Sequence, residues 1–125
     1  MKKFALIVSA ACALMAISSC EKECKKNEAP VITVTVPLES AQLSDSVQLA
    51  GSVSDDVWLN DMAVMIHATN GDTVFVTRPD VYGKRSHDFA YTYYITTPGN
   101  LHLQVVATDN EGVTTEKEVM FTVTP

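Results

Sequence analysis

Ser86-His87-Asp88 puts a hydroxyl, an imidazole and a carboxylate on three consecutive positions, the residue types of a nucleophile–base–acid relay. The surrounding stretch alternates apolar and polar residues as a strand does, and successive strand side chains point to opposite faces. A relay needs its three groups within hydrogen-bond reach of one another, so the trio reads as strand and not as a catalytic site. No glycine-rich phosphate cradle and no Cys–His pair with a structural context occurs elsewhere in the chain. The sequence therefore predicts a non-enzyme.

Two other groupings could hold a cation. Asp55 and Asp56 precede one strand, and Asp109, Asn110 and Glu111 lie in a later turn. Carboxylate and amide oxygens are the hard ligands that calcium takes, so these five residues form a candidate calcium site if their loops share one end of the fold. Turns use the same residue types for local backbone hydrogen bonds, and that reading stays open beside it. His67 and His102 fall on outward positions of neighbouring strands, but two imidazoles without a carboxylate or thiolate fall short of a transition-metal site. No cofactor other than this candidate calcium is implied.

These groups must be positioned by strands. Apolar residues recur with period two almost throughout residues 29–125, β-branched residues are abundant, and no 3.6-residue apolar stripe follows the N-terminal segment. Strands are predicted at Val31–Val36, Ser46–Val53, Met62–Thr69, Asp72–Arg78, His87–Ile95 and Leu101–Thr108, with a last one running from the Asp109–Gly112 loop to Thr124. Pro37 suits an edge position because it cannot donate to a ladder. Asn70-Gly71 predicts a two-residue type I′ hairpin, which pairs Ile66 with Phe75, Met65 with Val76 and His67 with Val74. A type I turn with a glycine bulge at Asp109–Gly112 pairs Leu103 with Val119 and His102 with Met120. Seven short strands at this spacing fit an all-β, seven-stranded Greek-key immunoglobulin-like β-sandwich.

Ahead of that domain, Lys2 and Lys3 lead into an apolar run from Phe4 to Ile17. Its length, about 14 residues, is short of the roughly 20 that cross a bilayer as a helix, and charged sequence follows at once, so it reads as a signal peptide over residues 1–19. Ile17-Ser18-Ser19-Cys20 resembles the bacterial lipobox, which implies that Cys20 is acylated and holds the protein on a membrane. Residues 20–28, charged and without a large apolar side chain, read as a tether. Cys12 would leave with the signal peptide, and Cys24 has no intrachain partner, so it is either a spare thiol or an intermolecular one. Two of the nine basic residues precede Cys20, leaving seven against fifteen acidic ones, a net charge of −8. That balance disfavours nucleic acid and anionic lipid as partners.

From Pro98-Gly99-Asn100 through the alternating Leu101–Thr108 strand to Asp109-Asn110-Glu111-Gly112, the chain resembles polycystic-kidney-disease, cadherin-like and fibronectin-type-III domains. With its lipobox, tether and Pro30-Val31-Ile32 opening, the whole resembles short Bacteroidota lipoproteins carrying a single immunoglobulin-like domain of unknown function. The resemblance implies an outer-membrane lipoprotein on the cell surface or the periplasmic face. Charges directly after the acylated cysteine resemble signals for surface export and also suit a plain solvated linker.

Alternation then assigns faces. Val47, Leu49, Val53, Val64, Ile66, Phe89, Tyr91, Tyr93, Ile95, Leu101, Leu103, Val105, Ala107, Val119, Phe121 and Val123 point inward. Outward lie Met65, His67, Val74, Val76, His102, Gln104, Val106 and Met120, an unusually apolar set for one exposed sheet face. They predict a surface that docks a protein or a glycan, with a calcium-stabilised structural module of the envelope as the alternative.

Overall fold

The computed structural model describes residues 26–39, 41–43, 45–96 and 98–124. The segment read as a signal peptide, together with Cys20 and Cys24, lies outside the described residues. Among the described residues eight strands form: β1 (Val31–Val36), β2 (Gln42–Leu43), β3 (Ser46–Ser54), β4 (Leu59–Ala68), β5 (Thr73–Thr77), β6 (Ser86–Tyr94), β7 (Gly99–Asp109) and β8 (Thr114–Val123). They build a three-stranded sheet in the order β1-β3-β6 and a five-stranded sheet in the order β2-β8-β7-β4-β5. The expected seven strands become eight because β2 is a two-residue ladder running parallel to β8, pairing Gln42 with Thr122 and Leu43 with Val123. Two residues show no periodicity, so nothing in their sequence marks them as strand.

The core follows from alternation. On β7 the residues Leu101, Leu103, Val105, Ala107 and Asp109 are buried and their neighbours are not. Val47, Leu49 and Val53 from β3 face Val64 and Ile66 from β4, with Phe121 and Val123 from β8 closing the layer. Tyr91, Tyr93 and Ile95, expected inside, are only partly buried. They sit on or just beyond β6, an edge strand, where Phe75 of β5 covers Tyr91 and Tyr93 at ring-centroid distances of 6.2 and 5.7 Å.

Among the described residues three pairings shift register, between Val34 and Val36 on β1, between Ile66 and His67 where β4 meets β5, and between Leu59 and Asp61 where β4 meets β7. Leu59 pairs with Asp109 and Asp61 with Thr108, so Asn60 is an extra residue that lets both Leu59 and Met62 face the core. The segment after β5, read as polar loop, is anchored by Val81, which is fully buried. The Lys84 carbonyl accepts from the Leu59 N–H at 2.7 Å and the Leu59 carbonyl accepts from the Gly83 N–H at 3.0 Å.

The Asn70-Gly71 turn is not the two-residue type I′ hairpin. The Gly71 N–H reaches the Ala68 carbonyl (2.9 Å), the Ala68 N–H reaches the Asp72 carbonyl (2.8 Å), and Gly71 takes φ 94°. This is a type I turn closed by a glycine bulge. Asn70 spends its side chain on Asp72, its Oδ1 accepting the Asp72 N–H and its Nδ2 donating to Oδ2, both at 3.0 Å. Ile66 and Met65 keep their expected partners Phe75 and Val76, but His67 pairs with Thr73 and Val74 becomes the extra residue. The β7–β8 hairpin has the expected form, with Leu103 opposite Val119 and His102 opposite Met120.

Candidate functional site

The five-stranded sheet carries the outward set on one surface. One row across it reads Val76, Met65, Gln104, Glu118, and the next reads Thr73, His67, His102, Met120. Val106 lies between Ala63 and Glu116. Val76 and Met120 are 53% and 50% exposed and Val74, at the bulge, 40%; Met65, His67, His102, Gln104 and Val106 are half-buried. The face is thus an apolar strip bordered on β8 by Glu116 and Glu118.

Its polar centre is ordered. His67 Nε2 lies 3.0 Å from Gln104 Oε1 and His67 Nδ1 lies 3.0 Å from Thr73 Oγ1. An amide oxygen can only accept, so Nε2–H donates to Gln104 and Nδ1 accepts from the Thr73 hydroxyl, which one neutral tautomer satisfies. The His102 ring lies 5.2 Å away, tilted by 45°. Both His67 nitrogens are therefore engaged, and the histidine pair works as a fixed polar element of the face.

At one end of the sandwich the loops meet as the acidic residues required. Asp109 is fully buried. Its Oδ1 accepts the N–H groups of Glu111 and Val113 (both 2.9 Å), and its Oδ2 accepts Asn27 Nδ2 at 2.7 Å. The Asn27 amide holds its carboxyl below the usual carboxylate range, opposed by burial, with the backbone N–H groups of Val113, Glu111 and Gly112 adding to the lowering. Asp109 is thus a structural carboxylate that shapes the β7–β8 turn and ties down the chain entering β1. Asn27, within the stretch read as tether, belongs to the domain's contacts. A partner 82 positions away leaves no local signal in the sequence.

Asp55 caps its own loop, its Oδ2 accepting the Val57 N–H at 3.0 Å. Asp56, Asn110 and Glu111 line a cavity of about 350 Å³ together with Asn27, Val57, Lys26 and Arg85. Arg85 is itself spanned across the loop, donating to the carbonyls of Val57 and Asp56 at 3.2 and 3.0 Å. Among the described residues no three Asp, Glu, His or Cys side chains converge on a point that could hold a metal ion. Three side-chain oxygens at this end, Asn27 Oδ1, Asp55 Oδ1 and Asp56 Oδ1, are buried without a hydrogen-bond partner.

In the Ser86-His87-Asp88 trio, His87 pairs with Val53 and shares its inward face, whereas Ser86 and Asp88 share the opposite face with Ser54 and Ser52. The three groups do not meet.

No family model matches the chain and no curated protein matches it. Solved structures do. An engineered protein from a structural genomics consortium superposes with a TM-score of 0.58 at 16% identity over 80% of this chain and 21% of its own. Fibronectin(III)-like modules of Clostridium thermocellum CbhA give 0.50 at 18% identity over 79% of this chain and 48% of theirs. The CARDB domain of a Pyrococcus furiosus protein, solved in complex with di-metal ions, gives 0.51 at 14% identity over 81% and 94%. The chain thus spans half or less of the length of the first two. At these identities the likeness is one of fold: the protein is an all-β, two-sheet domain of the immunoglobulin and fibronectin-III kind.

Proposed function

We propose that this chain is a membrane-anchored, non-catalytic lipoprotein whose sandwich is a protein-binding module of the cell envelope. The anchor is an acylated Cys20, and the site is the outer membrane, on its cell-surface side. The observation that carries the binding role is the strip of exposed Val74, Val76 and Met120 with half-buried Met65 and Val106 on a sheet face that no other described element covers. The preset His67–Gln104–Thr73 network among these apolar side chains gives the face both apolar contact area and fixed hydrogen-bonding groups, the two kinds of contact that protein interfaces combine. Glu116 and Glu118 on its border favour a partner with basic residues beside its apolar contact.

Cross-linking from intact cells, using the anchored protein and its Met65→Glu and Val76→Glu variants, tests this. Loss of a specific cross-linked partner in folded variants supports the face as the docking surface; undiminished capture refutes it. Labelling by a membrane-impermeant reagent in the same cells reports the side of the membrane.

A second reading rests on the three unpartnered oxygens of Asn27, Asp55 and Asp56: a calcium ion at this end would make the domain a calcium-stabilised envelope module. Calorimetry with calcium decides it, since the absence of binding heat at millimolar calcium disposes of the site. Lys26 and Arg85 beside the cavity weigh against the ion by repulsion.

A further inference from the structure

The end of the sandwich opposite Asp109 holds an open cleft of about 400 Å³ between the β4–β5 turn and the β6–β7 connection. Its size lies within the range of small-ligand sites, roughly 300–1,000 Å³. Thr69, Asn70, Asp72, Thr96 and Asn100 supply polar groups to its wall and Tyr93 an aromatic one.

The polar groups are fixed before any ligand arrives. Asn70 and Asp72 hold each other through the two 3.0 Å bonds of the turn. The Asn100 side-chain oxygen accepts from the Thr122 hydroxyl at 2.9 Å, and its carbonyl accepts from Thr69 Oγ1 at 3.1 Å. These bonds leave the Asn100 amide N–H groups and the second Asp72 oxygen without a partner among the described residues. A carboxylate acceptor and a two-proton amide donor, each locked in its plane, complement neighbouring hydroxyls, which donate and accept at once. The Tyr93 ring is held by Phe75 at 5.7 Å and 58°, and the negative face of such a ring attracts the polarised C–H groups of a pyranose.

Charge narrows the class. Among the described residues Asp72 is the only charged side chain on the wall, and no Lys or Arg lines it. A phosphate or a sugar acid would therefore meet repulsion without a compensating cation. We infer that this cleft binds the end of a neutral saccharide. It shares only Val74 with the sheet face, so the two sites can be tested apart.

The experiment titrates the full chain, in detergent micelles, with lactose, N,N′-diacetylchitobiose and 3′-sialyllactose while recording amide ¹H–¹⁵N spectra. The amides of residues 69–72 and 99–101 are expected to shift with at least one neutral sugar, with a dissociation constant on the order of 1 mM. Asn100→Asp keeps the acceptor for Thr122 but removes both N–H donors, and it should weaken that binding about tenfold or more. Its own spectrum reports whether it is folded. Val76→Glu, on the sheet face, should leave the titration unchanged whether or not it abolishes protein capture. The inference is overturned if neither neutral sugar shifts these amides, if the shifts map elsewhere, if Asn100→Asp binds as well as the parent, or if sialyllactose alone binds.

Discussion

Gly51 is the position where one added carbon should do most damage. It sits mid-strand in β3, opposite Val34 of β1 on one side and Phe89 of β6 on the other. A Cβ there would overlap the Thr33 backbone carbonyl oxygen and come within 2.8 Å of Phe89 Cζ and 3.1 Å of Cε1. The ring covers the space a side chain would fill, as cross-strand aromatics do over strand glycines. Phe89 can tilt, but the carbonyl moves only if β1 moves. Gly51→Ala should therefore lose about 1 kcal/mol from a displaced β1–β3 hydrogen bond and about 1–3 kcal/mol from overpacking. Restricting the unfolded chain returns about 0.4–1 kcal/mol. The net expectation is a loss of about 1–3.5 kcal/mol, or a fall in Tm of roughly 4–28 °C for a domain of this size. Urea denaturation should show a lower midpoint with an unchanged slope. A Tm within about 2 °C of the parent would refute the contact as the reason for glycine. Phe89→Leu in the Gly51→Ala background separates the two contacts: if the carbonyl dominates, shortening the ring restores nothing, whereas recovery would make the ring the determinant.

Asp109 predicts an acid dependence. Its folded pKa is depressed, first by Asn27, so its stabilising contribution is complete above the ordinary carboxylate value and is lost as pH falls through the folded value, below about pH 4. Asn27→Ala should raise the Asp109 midpoint in a carboxyl ¹³C titration and flatten the loss of stability below that pH; an unmoved midpoint would contradict the assignment. Gly71 and Gly112 close hairpins of one geometry at φ 94° and 85°, so alanine at either should cost about 1–2 kcal/mol, with asparagine milder, as read by urea midpoints. Neutral alanine variants at both would undo the turn assignment. Cys20→Ala should shift the protein from the membrane fraction to the aqueous phase of a detergent partition; retention on membranes would show that another element holds it.

What the sequence makes legible here is what a period of two encodes. β1 spans the six residues that Val31–Val36 alternation marks out, and β7 buries every second side chain from Leu101 to Asp109. The outer face follows as the complement of the inner one, so Met65, Gln104 and His102 could be placed together before any pairing was known. Alternation fails where a residue is inserted. Asn60 shifts the phase so that Leu59 is core, and Val74 is displaced because the observed turn, closed by the Ala68–Asp72 bond, is one residue out of step with the Ile66–Phe75 register. Val81 lies in a polar stretch with no period at all.

The two ends of the sandwich differ for a reason that only tertiary contacts reveal. At one end Asn27 closes over Asp109, a contact between residues 82 positions apart, so the acidic loops turn toward the segment that leads back to Cys20. At the other end the Ala68–Leu101 pairing brings the β4–β5 turn beside the β6–β7 connection, and the cleft opens between them. If Cys20 is the anchor, as proposed, the acidic end would face the membrane, the apolar strip would stand along the side, and the cleft would point outward. A chain pinned at its acidic end would thus leave both proposed surfaces free, and moving the anchor to the C-terminal side of β8 should reverse the order of the two ends. Val123 lies opposite Gly99 at the cleft end, so a C-terminal anchor would turn the cleft toward the membrane and block it while leaving the sheet face free. Sugar binding lost and protein capture kept in such a re-anchored chain is the expected result; both kept would show that the anchor does not set which surface is presented.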